Sequence, residues 1–269
     1  MTSELAEHFL ALHDGPGPLL MPNPWDAGSA RLLASLGFTA LATTSSGYAA
    51  TLGRMDGSVT RDEAIAHGAS IAAAVGVPVS ADLENGFADD PGEVATTVEL
   101  AVGAGLAGCS IEDYSTDDGA PIYLHALAVE RVAAAAAAAH AGPRQLVLTA
   151  RAENYLHGRP DLADTIARLQ AYADAGADVV YAPGVTAEAD IAAIIAAVDV
   201  PVNVLLLPGG PSVARLGELG VSRISVGGAF AYAAIAALVQ AAGELRSGPS
   251  SDFFAQVRAG RTAATAAFT

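Results

Sequence analysis

Short runs rich in Val, Ile and Leu alternate along the chain with longer Ala-rich stretches whose apolar positions recur at helical spacing. The apolar runs predict strands at 18–22, 39–45, 77–84, 107–113, 145–151, 177–183, 201–207 and 222–228. Between them the pattern predicts helices at 25–36, 61–75, 91–104, 124–141, 160–175, 186–198, 211–219 and 229–246. Strands that are apolar throughout and followed by helices belong to a parallel sheet covered on its outer face. Eight such units in roughly 250 residues suit an α/β (β/α)8 TIM barrel, since an open doubly wound sheet would use fewer. Leu36-Gly37, Ala104-Gly105, Ala175-Gly176 and Leu219-Gly220 stand where helices must end, with glycine placed for the turn that follows. A further helix is read at 251–266, so the expected organisation is a barrel over 1–250 and a C-terminal helical extension over 251–269.

Composition sharpens this picture by what it excludes. With 52% apolar residues the chain can bury a core without staples, and the single Cys109 cannot form an internal disulfide. Neither a signal peptide nor a long apolar run is read, so a cytoplasmic protein is expected. The formal charge of -16, from 29 acidic and 13 basic residues with no basic cluster, argues against nucleic acid or an anionic membrane as partner. Every basic side chain is Arg, and the absence of Lys excludes Schiff-base aldolase chemistry, pyridoxal-phosphate anchoring and the P-loop lysine.

The third strand ends in "PVSADLENG", residues 78–86. Side chains two apart on a strand share a face, so Asp82 and Glu84 are expected at the mouth of the barrel, where the strands end. The next strand ends in "SIED" with Glu112, and "GRMDG" carries Asp56 on the loop after strand two. Acids converging on one mouth repel unless a cation sits among them, and an all-oxygen site points to Mg2+ or Mn2+. The alternative for each acid alone is a solvated strand end or a helix cap, the role expected of Asp26, Asp62 and Asp89. Ser45, Ser46 and Gly47 in "TTSSGY" would offer hydroxyls and N–H groups to a carboxylate. Arg151 ends strand five as a clamp for a substrate carboxylate or as a structural partner of the acids, and Asn203 on strand seven is a ligand group or a core amide. A metal beside anion-binding groups suits a 2-oxo acid, whose carboxylate adjoins a chelating oxygen.

"NPWDAGSARLLASLGFTALATTSSGYAATLG", "VSADLENGF", "AGCSIEDY" and "LTARAENYL" resemble the isocitrate lyase/phosphoenolpyruvate mutase superfamily, in order from about residue 19 to 228. The resemblance implies a (β/α)8 barrel, Mg2+ held near the strand-three acids largely through water, and 2-oxo or 2-hydroxy acid substrates. It implies a homo-oligomer, a dimer or a tetramer whose C-terminal helix is exchanged between subunits. By position Asp82, Glu84, Glu112 and Asp56 match the metal-site acids, Ser45, Ser46 and Gly47 the carboxylate loop, and Arg151 the basic residue that contacts substrate.

Departures from the pattern narrow the activity. The lyases of that superfamily carry a Cys-bearing loop after strand four, and the mutase branch a Lys-bearing one; here the region reads "SIEDYSTDDGAPIYLHALA", with neither. Cys109, inside an apolar strand, reads as a small buried hydrophobe. Decarboxylation of an oxaloacetate-like acid, or retro-aldol cleavage of a 2-hydroxy acid, fits this equipment through an enolate that a Lewis-acidic metal stabilises. Tyr48, Tyr123 and His125 are candidates to protonate that enolate, each with a packing or helix-start role as the alternative. Two other functions remain open: a 2-oxo acid binding protein without turnover, and a phosphate-binding barrel suggested by "LPGGPS" and "SVGGAF".

Overall fold

The computed structural model describes residues 2–115, 119–142, 146–248 and 250–269. Its strands are β1 (Leu19–Met21), β2 (Leu41–Ala42), β3 (Val79–Asp82), β4 (Gly108–Glu112), β5 (Val147–Arg151), β6 (Val179–Tyr181), β7 (Val202–Leu205) and β8 (Arg223–Ser225). They form one parallel sheet ordered β1-β8-β7-β6-β5-β4-β3-β2. β1 and β2 share no ladder, but their seam is bridged by the Ala42 N–H to the Pro22 carbonyl at 3.1 Å and by Asn23 Nδ2 to the Thr43 carbonyl at 3.0 Å. The sheet thus curls into the expected (β/α)8 barrel. Each strand lies inside its predicted run; the first residue of the fifth run, Gln145, falls outside the described residues.

The helices are α1 (Thr2–Ala11), α2 (Ala27–Ser35), α3 (Ser45–Thr51), α4 (Arg61–Ala72), α5 (Pro91–Gly103), α6 (His125–Ala139), α7 (Leu162–Asp174), α8 (Glu188–Ala197), α9 (Val213–Glu218), α10 (Ala229–Ser247) and α11 (Ser251–Phe268). Their starts follow from short polar side chains that satisfy the free N–H groups of a first turn. Asp26 caps α2 in a reciprocal box with Ser29. Thr60, not Asp62, caps α4, and Asp62 lies in its first turn. Asp90, not Asp89, caps α5 ahead of Pro91, while Asp89 accepts a hydrogen bond from the Tyr123 hydroxyl. The four Leu-Gly and Ala-Gly pairs end α2, α5, α7 and α9, each glycine at positive φ.

Two helices have no counterpart in the apolar pattern. α1 closes the bottom of the barrel by inserting Phe9, fully buried, among Leu19, Met21, Ala40, Val147 and Val179. Gly108 makes room for it, because a Cβ there would stand 2.7 Å from Phe9 Cε1. α3 is the Ser-Gly stretch itself, wound into about two turns because Thr44 caps it. At the other end, α10 buries only Ala231 and α11 buries nothing, lying thinly against α2. Among the described residues, no helix is long and apolar enough to cross a membrane.

Candidate active site

The C-terminal ends of the strands gather most of the acids. Asp82, the last residue of β3, is fixed through its backbone, whose N–H donates to Thr43 Oγ1 at 2.8 Å. Its Oδ2 accepts the Ser45 N–H at 3.0 Å, which ties the start of α3 to β3, and its Oδ1 lies 3.3 Å from Arg151 Nη1. Arg151 ends β5 in register with Glu112 at the end of β4. Its Nη1 is 2.8 Å from Glu112 Oε1 and its Nε donates to Glu153 Oε1 at 2.7 Å. One guanidinium therefore meets three carboxylates in a nearly buried setting. Burial opposes the charge on Arg151, but Glu112, Glu153 and Asp82 outweigh it and hold its pKa well above the usual value. Burial pushes Glu112 and Glu153 upward, Arg151 pulls each back, and the neighbouring acids push them further.

Glu84 reaches the mouth by a different route from the one its spacing predicts. β3 ends at Asp82, and Glu84 enters the following turn at φ 47°, so the pleat does not orient it. Its carbonyl accepts the Glu112 N–H at 2.9 Å, which places it beside β4. Glu84 Oε1 is buried without a hydrogen-bond partner among the described residues. Burial, then the charges of Asp82 and Asp56, raise its pKa to about 7. Asp56 sits on an exposed loop with its carboxylate turned inward onto the Ser45 hydroxyl; loss of hydration, with Asp82 adding to it, pushes its pKa up.

A cavity of about 200 Å3 runs from this rim into the barrel. Ser45, Ser46, Asp56, Asp82, Glu112 and Arg151 line it at the strand ends, together with Tyr181 and Ser225, and Asn203 and Arg223 line it further down their strands. Glu84 stands over an adjoining groove with Asn85, Phe87 and Asp89. Gly47 lies behind the rim against Trp25 and Ala231, and its N–H donates to Thr44 Oγ1 at 3.3 Å. Asn203 is held at both ends, donating to Ser225 Oγ at 3.0 Å and accepting from Arg223 Nε at 2.9 Å.

The three expected proton donors stand outside the cavity. Tyr48 stacks on His67 with ring centroids 3.8 Å apart. Tyr123 is buried under Arg131, whose guanidinium lies 4.0 Å from the ring centroid, and its hydroxyl is engaged by Asp89 and Asn85. His125 opens α6 on the exposed surface. In the loop after β4, residues 116–118 fall outside the described residues; of the rest, Tyr114 stacks on His157 at 4.0 Å. Behind the eighth strand, Asn23 Oδ1 accepts the N–H groups of Val226 and Gly227 at 3.0 and 2.9 Å. Two of the backbone donors of the turn after β8 are therefore occupied within the chain.

Several side chains that shape the site carry no signal in the apolar pattern. Glu153 stands two residues beyond the end of β5, where strand alternation no longer orients a side chain, and it was not singled out by the sequence. It is held by Asp113, whose Oδ1 accepts the Glu153 N–H at 2.8 Å and whose Oδ2 receives Tyr172 at 2.6 Å and Arg168 at 3.0 Å. Arg168 and Tyr172 belong to the inner face of α7, where an Arg at a core position is itself the clue. Cys109 is fully buried in β4, and burial pushes its thiol pKa far up.

With this geometry in place, the chain can be set beside known proteins. The phosphoenolpyruvate phosphomutase family model matches residues 9–246. A solved structure from Burkholderia cenocepacia J2315, provisionally assigned as a lyase/mutase, is 55% identical, covers 94% of this chain and 91% of its own, and superposes with a TM-score of 0.90. Oxaloacetate acetylhydrolase in complex with its product oxalate is 27% identical over 92% of this chain and 89% of its own, with a TM-score of 0.84. A 2,3-dimethylmalate lyase of the PEP mutase/isocitrate lyase superfamily is 29% identical over 91% of this chain and 88% of its own, with a TM-score of 0.83.

Proposed function

The chain belongs to the phosphoenolpyruvate mutase family, in the isocitrate lyase/PEP mutase superfamily, and from that premise we propose that it is a Mg2+-dependent carbon–carbon lyase or decarboxylase acting on a 2-oxo or 2-hydroxy mono- or dicarboxylic acid. The observation that carries this reading is the excess of acid around the cavity, where one guanidinium faces Asp82, Glu112 and Glu153 while, among the described residues, no ion pair reaches Asp56 at the rim or Glu84 over the adjoining groove. The neighbours named for oxaloacetate and 2,3-dimethylmalate chemistry supply the substrate class.

The residues fit a hard cation that keeps much of its water. Among the described residues, no three His, Cys, Asp or Glu side chains converge into a ready coordination shell. Mg2+ needs few direct protein ligands, because it dehydrates reluctantly. The unpartnered Glu84 Oε1, and the acidic charges that push the pKa values of Glu84 and Asp56 upward, are what such an ion would relieve. Asp82, Glu84, Glu112 and Asp56 would hold Mg2+ or Mn2+, the first two from the β3 end. When bound, the ion acts as a Lewis acid on the oxygens next to the breaking bond.

The chain's own groups do the positioning. Ser45 and Ser46 offer hydroxyls to the substrate carboxylate, with α3 held in place by Asp82. Arg151, clamped by Glu112 and Glu153, presents a fixed positive charge to the anionic substrate while Asn203 and Ser225 line the same cavity. A homo-oligomer of this chain in the cytoplasm, with α11 exchanged between subunits, completes the proposal. One observation favours a second reading, a 2-oxo acid binding protein without turnover: Tyr48, Tyr123 and His125 do not line the cavity.

Calorimetric titration with 2-oxoglutarate, oxaloacetate and pyruvate, in Mg2+ and then in EDTA, with product assayed in the same mixtures, separates these readings. Mg2+-dependent binding with product supports the lyase or decarboxylase, binding without product supports the binding protein, and no binding removes the ligand class.

A further inference from the structure

An enolate released by carbon–carbon cleavage has to take up a proton. Among the described residues Tyr181 is the one phenol lining the cavity, and no imidazole lines it. Tyr181 ends β6, in register with Arg151 on one side and Asn203 on the other. Ser225 lines the same cavity and favours the charged form of the Tyr181 hydroxyl, and Ser225 Oγ accepts from Asn203 Nδ2 at 3.0 Å. The Arg151 guanidinium carbon lies 5.1 Å from the Tyr181 ring centroid.

A second guanidinium lies beneath. Arg223 is buried, and its acceptors among the described residues are all neutral: Asn203 Oδ1 at 2.9 Å, Thr149 Oγ1 at 3.0 Å and His13 Nε2 at 3.4 Å. His13 Nδ1 stands 3.1 Å from the carbonyls of both Phe9 and Leu10, so its proton belongs on Nδ1 and Nε2 accepts. A buried cation without a carboxylate partner is costly, and an anion formed beside it is stabilised correspondingly. The phenol of Tyr181, in the same register row as Arg223 with Asn203 between them, is the cavity-lining group able to become that anion.

We propose that Tyr181 is the general acid that protonates the substrate enolate, with Arg151 and Arg223 stabilising the phenolate it leaves. The inference rests on the enolate reading above. In decarboxylation of an oxaloacetate-like acid the carbon–carbon bond to the distal carboxylate breaks, CO2 leaves, and the bonding electron pair enters the enolate. The enolate carbon then bonds to the Tyr181 hydroxyl proton as the O–H bond breaks, and the enolate oxygen returns to a carbonyl. The phenolate recovers a proton from water through the Ser225 hydroxyl, so one solvent proton is consumed per turnover and no oxidant or reductant takes part. Burial keeps the free phenol protonated until a stronger base is generated in the cavity. The rival donor is Glu112, also on the rim and raised in pKa by its burial.

The test compares the wild type, Tyr181→Phe and Glu112→Gln with Mg2+, following oxaloacetate turnover and, by NMR in D2O, hydrogen–deuterium exchange at the pyruvate methyl group. Phenylalanine keeps the ring and its packing under Arg151 and deletes only the donor. Tyr181→Phe is expected to slow exchange and turnover by about 10²- to 10⁴-fold while calorimetric pyruvate binding stays within about twofold. Exchange in Tyr181→Phe at the wild-type rate, with its loss confined to Glu112→Gln, assigns the proton to the carboxyl and overturns the inference, leaving the lyase reading intact. A wild type that neither turns over oxaloacetate nor exchanges pyruvate overturns that reading and the inference with it.

Discussion

His13 is a buried residue whose protonation state is dictated by its neighbours, and that makes its effect on stability calculable in sign. Burial first, then the Arg223 charge, lowers its pKa from 6.5 to about 4. Above pH 6.5 both folded and unfolded chains hold it neutral and its contribution is complete. As the pH falls from 6.5 toward 4, the unfolded chain takes up a proton that the folded one refuses, and stability drops by up to about 3 kcal/mol. Glu84, Glu112 and Glu153, whose pKa values are raised, work the other way, since protonation favours the fold. His13→Gln should therefore lose less melting temperature than the wild type between pH 6.5 and about 4.5, and parallel curves would mean that His13 charges freely in the folded state. A second substitution addresses the metal. Asp82→Ala removes the acceptor of the Ser45 N–H and one partner of Arg151, yet it also relieves repulsion among the acids, so calorimetry should show metal-dependent ligand binding lost with the melting temperature nearly unchanged. The candidate acids were legible because strand ends and acids coincide in the sequence. Arg223 and Tyr181 were not, because a single polar residue inside an apolar run gives no sign of whether it lines a cavity or satisfies a neighbour.

At the scale of elements, the turn from β3 to α5 shows where strand periodicity stops being informative. Glu84, Gly86 and Phe87 all have positive φ, at 47°, 76° and 60°. Alternation predicts that Asp82 and Glu84 share a face, but the strand is over before the rule applies to Glu84. What fixes the turn comes from α6: the Arg131 guanidinium donates to the carbonyls of Asn85 and Ala88, and Tyr123 joins Asn85 to Asp89. The glycine ends of helices were more legible, because such a turn is set by its own residues, while two of the three expected N-caps fell to a neighbour and α3 was hidden in a Ser-Gly stretch whose winding depends on Thr44 and Asp82. Arg131→Met strands two buried carbonyls and frees the turn, so a loss of about 3 kcal/mol is expected in denaturant unfolding. The same variant should weaken Mg2+ more than it weakens a 2-oxo acid at saturating Mg2+, because Glu84 is released while Ser45 and Arg151 stay in place. Equal losses in both titrations would mean that the turn supports the whole site and not Glu84 in particular.

On the scale of the molecule, the barrel is covered unevenly. Phe9 seals the bottom, and Ala-rich helices pack against most of the strands, but Leu20 on β1 remains 39% exposed. α10 displays Leu238, Val239 and Leu245 and α11 displays Phe254, Val257 and Phe268, all at least 45% exposed. A hydrophobic surface of this extent on two helices that bury almost nothing of their own is more than a solitary soluble domain tolerates. The proposed homo-oligomer covers it with a second copy of the same helices. Charge makes this testable in a specific direction. Each subunit carries a formal charge of -16, so subunits repel at long range and only apolar contact can join them. Salt screens the repulsion and leaves the apolar contact. Sedimentation should therefore give a dimer or tetramer whose association tightens as salt is raised, and removal of residues 251–269 should shift it toward monomer. A full-length chain that sediments as a monomer at all salt concentrations would rule out the exchange of α11, and association that weakens with salt would point to an interface made by charges instead of these helices.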